Sequence, residues 1–89
     1  MSKPILIYGT AWCPYCVAAK NFLAARKLSY SEVRIDLDPQ QFALMLKRSN
    51  GRRSVPQIFI GDHHVGGYDD LVKLAQKGGL DPLLKDDES

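Results

Sequence analysis

The apolar residues alternate between short runs with the two-residue period of strands and longer stretches with helical spacing, a pattern typical of an α/β fold. Residues 5–8 are strand formers followed by Gly9, and the segment that begins at Pro14 repeats its apolar residues at helical spacing. A chain of 89 residues can build one compact core but not two. We therefore predict a single domain over residues 1–89, with residues 86–89 as a disordered acidic tail.

The middle of the chain continues this alternation with a second strand and a second helix. Residues 31–37 predict a strand that has Val33, Ile35 and Leu37 on one face. Asp38 is a typical N-cap residue, and Pro39 suits the first helical position.

Gln41 then completes a capping-box pattern for this second helix. The helix should end near residues 50–51, where Asn50 and Gly51 suit a left-handed cap. Its predicted buried stripe consists of Phe42, Met45 and Leu46.

The last third of the chain predicts a β-hairpin and a third helix. Residues 57–60 and 63–65 are strand-like and are separated by Gly61 and Asp62, with glycine at the first central position of the turn. Acidic residues 69–70 suit the start of a helix that Gly78 and Gly79 would end. The order β-α-β-α-β-β-α is that of a thioredoxin-like fold, so we predict a four-stranded mixed sheet flanked by three or more helices.

Composition and charge exclude several classes of function. The formal net charge of +2 is too small to indicate a nucleic-acid-binding protein. Every apolar run is far shorter than the roughly 18 residues that span a bilayer, and no signal-like segment follows residues 1–4. We expect a cytoplasmic monomer without a membrane or nucleic-acid partner.

The only cysteines, Cys13 and Cys16, lie three positions apart, which closes too small a loop for a structural disulfide. This pair should lie at the junction of the first strand and the first helix. There, unpaired N–H groups of Tyr15 and Cys16, the helix dipole and the nearby Lys20 would stabilise a thiolate on Cys13. We predict that Cys13 is the attacking thiol and Cys16, one turn further into the helix, the resolving thiol.

The same cysteine spacing also occurs in half of a zinc site, for which His63 and His64 could supply the other ligands. Adjacent strand residues point to opposite faces of a sheet, so the two imidazoles do not easily reach one ion. We therefore expect no metal and interpret the histidines as an exposed hairpin face.

The chain contains three motifs in order: Cys-Pro-Tyr-Cys at residues 13–16, Ser-Val-Pro at residues 54–56 and Gly-Gly-Tyr-Asp-Asp-Leu at residues 66–71. These motifs closely resemble those of the dithiol glutaredoxins, particularly the small bacterial ones. The resemblance covers nearly the whole chain. It implies a glutathione-dependent thiol-disulfide oxidoreductase that reduces protein-glutathione mixed disulfides and protein disulfides.

The resemblance also implies how glutathione, the co-substrate, would bind. The bond between Val55 and Pro56 should be cis, which would offer the backbone N–H and C=O of Val55 to the cysteinyl part of glutathione. Gly67, Tyr68 and Asp69 should hold the γ-glutamyl end, through backbone N–H groups for its carboxylate and the Asp69 side chain for its ammonium.

Some positions depart from the family pattern or are left open by it. Similar proteins often carry a lysine where this chain has Thr10, so Arg53, or its neighbour Arg52, is expected to meet the remaining carboxylate of glutathione. Tyr15 is expected to contribute to the same binding site. Trp12 either shapes the rim of the thiol site or packs on the domain edge.

Two other functions share this fold or this cysteine pair. One is a redoxin that a flavin-dependent thioredoxin reductase reduces, against which the motif at Tyr68 and Asp69 argues. The other is a carrier in which two subunits hold a [2Fe-2S] cluster through Cys13 and two glutathiones, against which Pro14 argues. The electron donor and the colour of the purified protein distinguish these alternatives.

Overall fold

A computed structural model describes residues 3–84, and it has the predicted α/β architecture. The elements are β1 (Ile5–Gly9), α1 (Pro14–Ala25), β2 (Ser31–Arg34), α2 (Pro39–Arg48), β3 (Gln57–Ile60), β4 (His63–Gly66), α3 (Tyr68–Gln76) and α4 (Leu80–Leu84). None of the helices in the described range is long and apolar enough to cross a membrane. The predicted acidic tail lies outside the described residues, and the assignment of residues 1–89 to one domain stays a prediction.

The four strands form one mixed sheet in the order β2-β1-β3-β4. Strand β1 pairs in parallel with β2 and antiparallel with β3, and β3 pairs antiparallel with β4. This topology confirms the predicted thioredoxin-like fold. It also places the C-terminal end of β1, where the cysteines follow, beside the N-terminal end of β3, because Tyr8 is opposite Gln57 in the antiparallel register.

Both faces of the sheet are covered, as the two-residue period of β1 and β3 requires. Ile5 and Ile7 of β1 belong to a core on one face, and Tyr8 belongs to a second core on the other. The first core is completed by Ala19, Leu23, Ile58, Ile60, Leu71, Leu80 and Leu84. The second core contains Met45 of α2 and Phe59 of β3. Helices α1, α3 and α4 therefore pack on one face and α2 on the other.

The second strand is shorter than predicted. It ends at Arg34, and residues 35–37 form a turn. Within this region the guanidinium of Arg34 donates two hydrogen bonds to the Asp36 carboxylate, at 2.8 and 2.6 Å. Val33 and Ile35 pack against the second core, but Leu37 is 73% exposed. The prediction that Leu37 continues the buried face is therefore wrong, because the chain leaves the sheet before that residue.

The ends of α2 are those that the sequence predicts. Asp38 is the N-cap residue, although its carboxylate accepts from the N–H of Gln40, and Pro39 is the first helical residue. Asn50 and Gly51 have φ angles of 59° and 89°, the left-handed cap expected there. In the predicted stripe only Met45 is fully buried, and Phe42 and Leu46 are half-buried.

The hairpin and the third helix also agree with the prediction. Gly61, at the turn between β3 and β4, has a φ of 57°, which glycine adopts readily. Helix α3 ends before Gly78, whose φ is 74°. The short helix α4 was not assigned from the sequence, and it buries Leu80 and Leu84 against the first core.

Candidate active site

The attacking thiol predicted from the sequence lies at the start of α1. Cys13 is the N-cap residue with extended backbone angles, and Pro14 follows at the first helical position. The N–H of Cys16 donates to the Sγ of Cys13 at a distance of 3.1 Å. The side chain of Cys13 thus occupies the place of an N-cap oxygen, where the first-turn N–H groups and the helix dipole favour negative charge.

The thiol of Cys13 also contacts a distant part of the chain. Its Sγ lies 3.6 Å from the carbonyl oxygen of Val55, 42 residues along the sequence, and the protonated thiol donates to that oxygen. Cys13 is only 8% exposed. The peptide bond between Val55 and Pro56 is cis, as the resemblance implied.

Cys16 lies beneath Cys13 and is fully buried. Burial, together with the hydrogen bond to the Cys13 side chain, raises the pKa of Cys16 from its ordinary value of 9.0 to about 12. At neutral pH Cys16 is therefore a neutral thiol. This environment fits the resolving role, since a buried neutral thiol does not compete with Cys13 for an incoming disulfide.

Gly9 makes room for the buried sulfur, a role that the sequence did not reveal. A methyl group added at Gly9 would lie 2.9 Å from the Sγ of Cys16, well inside van der Waals contact. The last residue of β1 must therefore lack a side chain if α1 is to approach the strand this closely. The sequence indicates only that Gly9 ends the strand, because its contact with Cys16 depends on tertiary packing.

The positive charge expected near the thiols from Lys20 is paired with a carboxylate. The ammonium of Lys20 lies 2.8 Å from the carboxylate of Glu32 on β2, which raises the pKa of the lysine. The local charge is thereby close to balanced. The interactions that favour a thiolate on Cys13 are consequently those of the helix N-terminus rather than of a side-chain cation.

A cavity of about 240 Å³ adjoins Val55 and thus the thiol of Cys13. Six of the predicted glutathione contacts line it, namely Tyr15, Val55, Pro56, Gly67, Tyr68 and Asp69. Arg52, Ser54 and Asp70 complete the lining. The structure thus brings together three segments that the sequence places far apart.

The arginine at this cavity is Arg52 and not Arg53. The buried hydroxyl of Ser49 donates to the carbonyl oxygen of Arg52 at 3.1 Å and holds that residue beside the end of α2. The guanidinium of Arg52 lies 3.6 Å from the carboxylate of Asp70, whereas Arg53 does not line the cavity. Of the two arginines expected to meet a glutathione carboxylate, Arg52 is therefore the one placed at the cavity, and its contact with the ligand stays a prediction.

In the Gly66–Asp70 segment, one of the backbone N–H groups expected to bind the γ-glutamyl carboxylate already has a partner. The N–H of Gly67 donates to the Asp70 carboxylate at 2.9 Å and is already used within the chain. A side chain at Gly66, where φ is 115°, would collide with the same carboxylate. Of the backbone donors expected for a ligand carboxylate, those of Tyr68 and Asp69 remain, at the first turn of α3, where no intrahelical acceptor exists.

Aromatic rings form one side of the cavity. Tyr15 and Tyr68 have ring centroids 6.3 Å apart, and Tyr68 packs edge to face on Phe22 at 6.4 Å. Trp12 is 93% exposed. The interpretation that Trp12 packs on the domain edge is therefore wrong. The other interpretation, that Trp12 shapes the rim of the thiol site next to Cys13, stays a prediction.

The two histidines have different surroundings. His63 is exposed, as predicted, but His64 is half-buried and stacks on Phe59 with a centroid distance of 4.8 Å. The interpretation as an exposed hairpin face thus holds for His63 alone. Within residues 3–84 no group of three or more histidine, cysteine or acidic side chains could hold a metal ion.

Comparison with known proteins identifies this arrangement. The family model described as Glutaredoxin matches residues 5–65. A glutaredoxin of Neisseria meningitidis is 51% identical over 83 residues, which cover 92% of this chain and 96% of the relative. The chain belongs to the glutaredoxin family. It is therefore a glutathione-dependent thiol-disulfide oxidoreductase, as the three motifs implied.

Solved structures of glutaredoxins share the fold closely. The solution structure of glutaredoxin from Brucella melitensis is 45% identical, covers 94% of this chain and 90% of its own, and superposes with a TM-score of 0.81. A buckwheat glutaredoxin solved as its complex with glutathione is 28% identical, with coverage of 92% and 76% and a TM-score of 0.81. Glutathione is thus a ligand of a protein with this backbone.

Proposed function

We propose that the protein removes glutathione from protein-glutathione mixed disulfides by attack of the Cys13 thiolate on the glutathione sulfur. A bond forms between Cys13 and glutathione, the mixed disulfide breaks, and the substrate leaves as a thiolate that takes up a proton. A second glutathione, as its thiolate, then attacks the sulfur of the bound glutathione. Oxidised glutathione is released and the Cys13 thiolate is restored.

The observation that carries this proposal is the position of the Cys13 sulfur between the N–H of Cys16 and the carbonyl of Val55. The N–H favours the thiolate, whereas the carbonyl oxygen can accept only while sulfur carries its proton. Ionisation of Cys13 therefore releases the Val55 carbonyl. That oxygen is then available to the backbone N–H of the cysteinyl part of glutathione, beside the sulfur that is about to be attacked.

The remaining walls of the cavity suit the two ends of the tripeptide. The first-turn N–H groups of Tyr68 and Asp69 suit the γ-glutamyl carboxylate, and the Asp69 carboxylate suits the ammonium. Tyr15 and Tyr68 offer an aromatic wall to the aliphatic part of the ligand. Arg52, one of the two arginines expected to do so, supplies the cation for the glycine carboxylate.

Protein disulfides follow a second route that needs both cysteines. Attack by Cys13 gives a mixed disulfide with the protein. Cys16 then gives up its proton and attacks the Cys13 sulfur, so that the Cys13–protein bond breaks and the protein leaves as a thiolate that takes up a proton. Two glutathiones afterwards reduce the Cys13–Cys16 disulfide. The 3.1 Å contact between the Cys16 N–H and the Cys13 sulfur shows that the two residues are adjacent in the fold.

The wider setting is proposed with the same function. Disulfide-containing or glutathionylated proteins are the substrates, the protein acts as a monomer in the cytoplasm, and neither nucleic acid nor membrane takes part. The net charge of +2 and the two free thiols support this setting.

The test is turnover of a glutathionylated peptide with glutathione as reductant, recycled by glutathione reductase and NADPH. We expect turnover that saturates with the peptide and stops when glutathione is left out. A parallel reaction that replaces glutathione and its reductase with thioredoxin reductase should be slow. Turnover only with thioredoxin reductase would contradict the proposal, and a freshly purified brown protein would indicate the cluster carrier.

A further inference from the structure

The buried side chain of Gln57 connects the cavity with a histidine that the reaction does not use. Gln57 begins β3, directly after Pro56, and its side chain is fully buried. Its Nε2 donates to the carbonyl oxygen of Ser54 at 2.9 Å and to the Ser54 hydroxyl at 3.1 Å. Its Oε1 lies 2.6 Å from the Nε2 of His64. Ser54 itself lines the cavity immediately before Val55.

These contacts determine which atom donates in each bond. A backbone carbonyl oxygen can only accept, so the Gln57 atom that faces it must be the amide nitrogen. The other Gln57 atom is then an oxygen, which also can only accept. The Nε2 of His64 therefore carries a hydrogen, and the neutral ring is in its Nε2–H tautomer.

The histidine ring is itself held in place. His64 is opposite Phe59 in the register of β3 and β4, and the two rings stack at 4.8 Å with an interplanar angle of 24°. Phe59 is 2% exposed and forms part of the second core. A ring fixed by the core thus presents its N–H to a buried amide, and that amide uses both of its hydrogens on the residue before Val55.

We propose that His64 is a positioning residue for glutathione binding, which fixes the Gln57 amide in the orientation that holds Ser54 and so aligns Val55. Without the His64 donor, the Gln57 Oε1 loses this hydrogen bond and is left as a buried acceptor, and the amide gains freedom to rotate. Ser54 would then lose its two hydrogen bonds for part of the time. This inference rests on the proposed role of Val55 in binding glutathione.

The experiment compares four variants by the KM and kcat for a glutathionylated peptide. His64→Phe keeps a ring that can stack on Phe59 but removes the donor, and His64→Gln restores an N–H. Gln57→Glu can accept from His64 but cannot donate to Ser54. His63→Phe is the matched control, because His63 is the exposed neighbour on the same strand.

We expect His64→Phe and Gln57→Glu each to raise KM by about tenfold, which is the size of effect expected for one lost hydrogen bond. The kcat of each variant should stay within about twofold of the wild-type value. His64→Gln should recover most of the loss, and His63→Phe should leave KM unchanged. The double variant with His64→Phe and Gln57→Glu should have the KM of Gln57→Glu alone, because both changes interrupt the same series of hydrogen bonds from His64 through Gln57 to Ser54.

A second readout does not depend on activity. In amide NMR spectra of the reduced protein, His64→Phe should shift the resonances of Ser54 and Val55, and His64→Gln should shift them less. Wild-type protein without glutathione-dependent turnover would defeat the proposed function, and the NMR comparison would still test the positioning role.

Three results would overturn the inference. One is a wild-type KM for folded His64→Phe with unshifted Ser54 and Val55 resonances. Another is an equal KM increase in His64→Phe and His64→Gln, which would show that the hydrogen bond is not the cause. The third applies if His64→Phe does not fold: a wild-type KM for Gln57→Glu would then show that the Gln57 amide does not position the site.

Discussion

The thiol junction and the wall of the glutathione cavity are built in different ways. The junction is local, since the Cys13 sulfur accepts from the N–H of Cys16, three residues away. The cavity wall combines residues from α1, from the loop before β3 and from the start of α3. The first region supplies the reacting sulfur and the second supplies recognition. Changes in the junction should therefore alter chemistry, and changes in the wall should alter affinity.

The largest expected effect distinguishes the two cysteines. Cys13→Ser removes the attacking thiolate and should abolish both deglutathionylation and the reduction of protein disulfides. Cys16→Ser should keep deglutathionylation, because a second glutathione can resolve the mixed disulfide, but it should fail with protein disulfides. Assays with a glutathionylated peptide and with a disulfide-bonded protein check this. Loss of both activities in folded Cys16→Ser would contradict the assigned roles.

The next prediction concerns the ionisation of Cys16. Because burial raises the pKa of this thiol to about 12, only about one molecule in a thousand should carry the Cys16 thiolate at pH 9. In Cys13→Ser, which removes the contribution of Cys13 to this shift but leaves the burial, alkylation of Cys16 at that pH should still be about tenfold or more slower than in the protein unfolded in denaturant. A midpoint of alkylation near pH 9 in the folded protein would contradict the buried environment.

The same raised pKa predicts how stability depends on pH. The folded state keeps the Cys16 proton to higher pH than the unfolded state, so unfolding releases protons in between. The contribution of this group to the free energy of unfolding is complete below pH 9.0 and decreases as the pH rises from there towards about 12. Denaturant titrations between pH 8 and 10 should show this decrease in the free energy of unfolding for the wild-type protein. Cys16→Ala, which lacks the thiol, should not show it.

Gly9→Ala should disturb the junction through packing. The added methyl group would lie 2.9 Å from the Cys16 sulfur, and overpacking of this kind typically costs about 1–3 kcal/mol of the free energy of unfolding. The cost should fall in Cys16→Ala, which removes that sulfur, and a double-mutant cycle measured by denaturant unfolding gives the difference. An equal cost in both backgrounds would show that the sulfur is not the obstacle.

The smallest effect should come from the cavity wall. Arg52→Ala removes the cation at the cavity and should raise the KM for glutathione by about threefold, because an exposed charge contributes little. Arg53→Ala is the matched control and should leave KM within experimental error. A larger effect for Arg53 would reverse the assignment and weaken the contrast between the local junction and the assembled wall.

Much of the fold was predictable because its signals are local. The helix caps at Asp38 and Gly51 and the hairpin turn at Gly61 are specified by residues a few positions apart. The strand over residues 31–37 was predicted too long, because alternation of apolar residues persists beyond Arg34, where the chain already turns. The short helix α4 was not assigned, since five residues carry little periodic signal.

The sequence by itself determined the two thiols, their place at a helix start and the family, because these depend on residue types at short, fixed spacing. Only the tertiary structure decided the partners of those residues. Arg52 lines the cavity beside Asp70 of α3, and Lys20 forms an ion pair with Glu32 from another element. Gly9 faces Cys16, and His64 faces Gln57, by packing across the sheet and its helices. Such contacts depend on distances between residues that are separated in sequence, and the register of the sheet sets those distances.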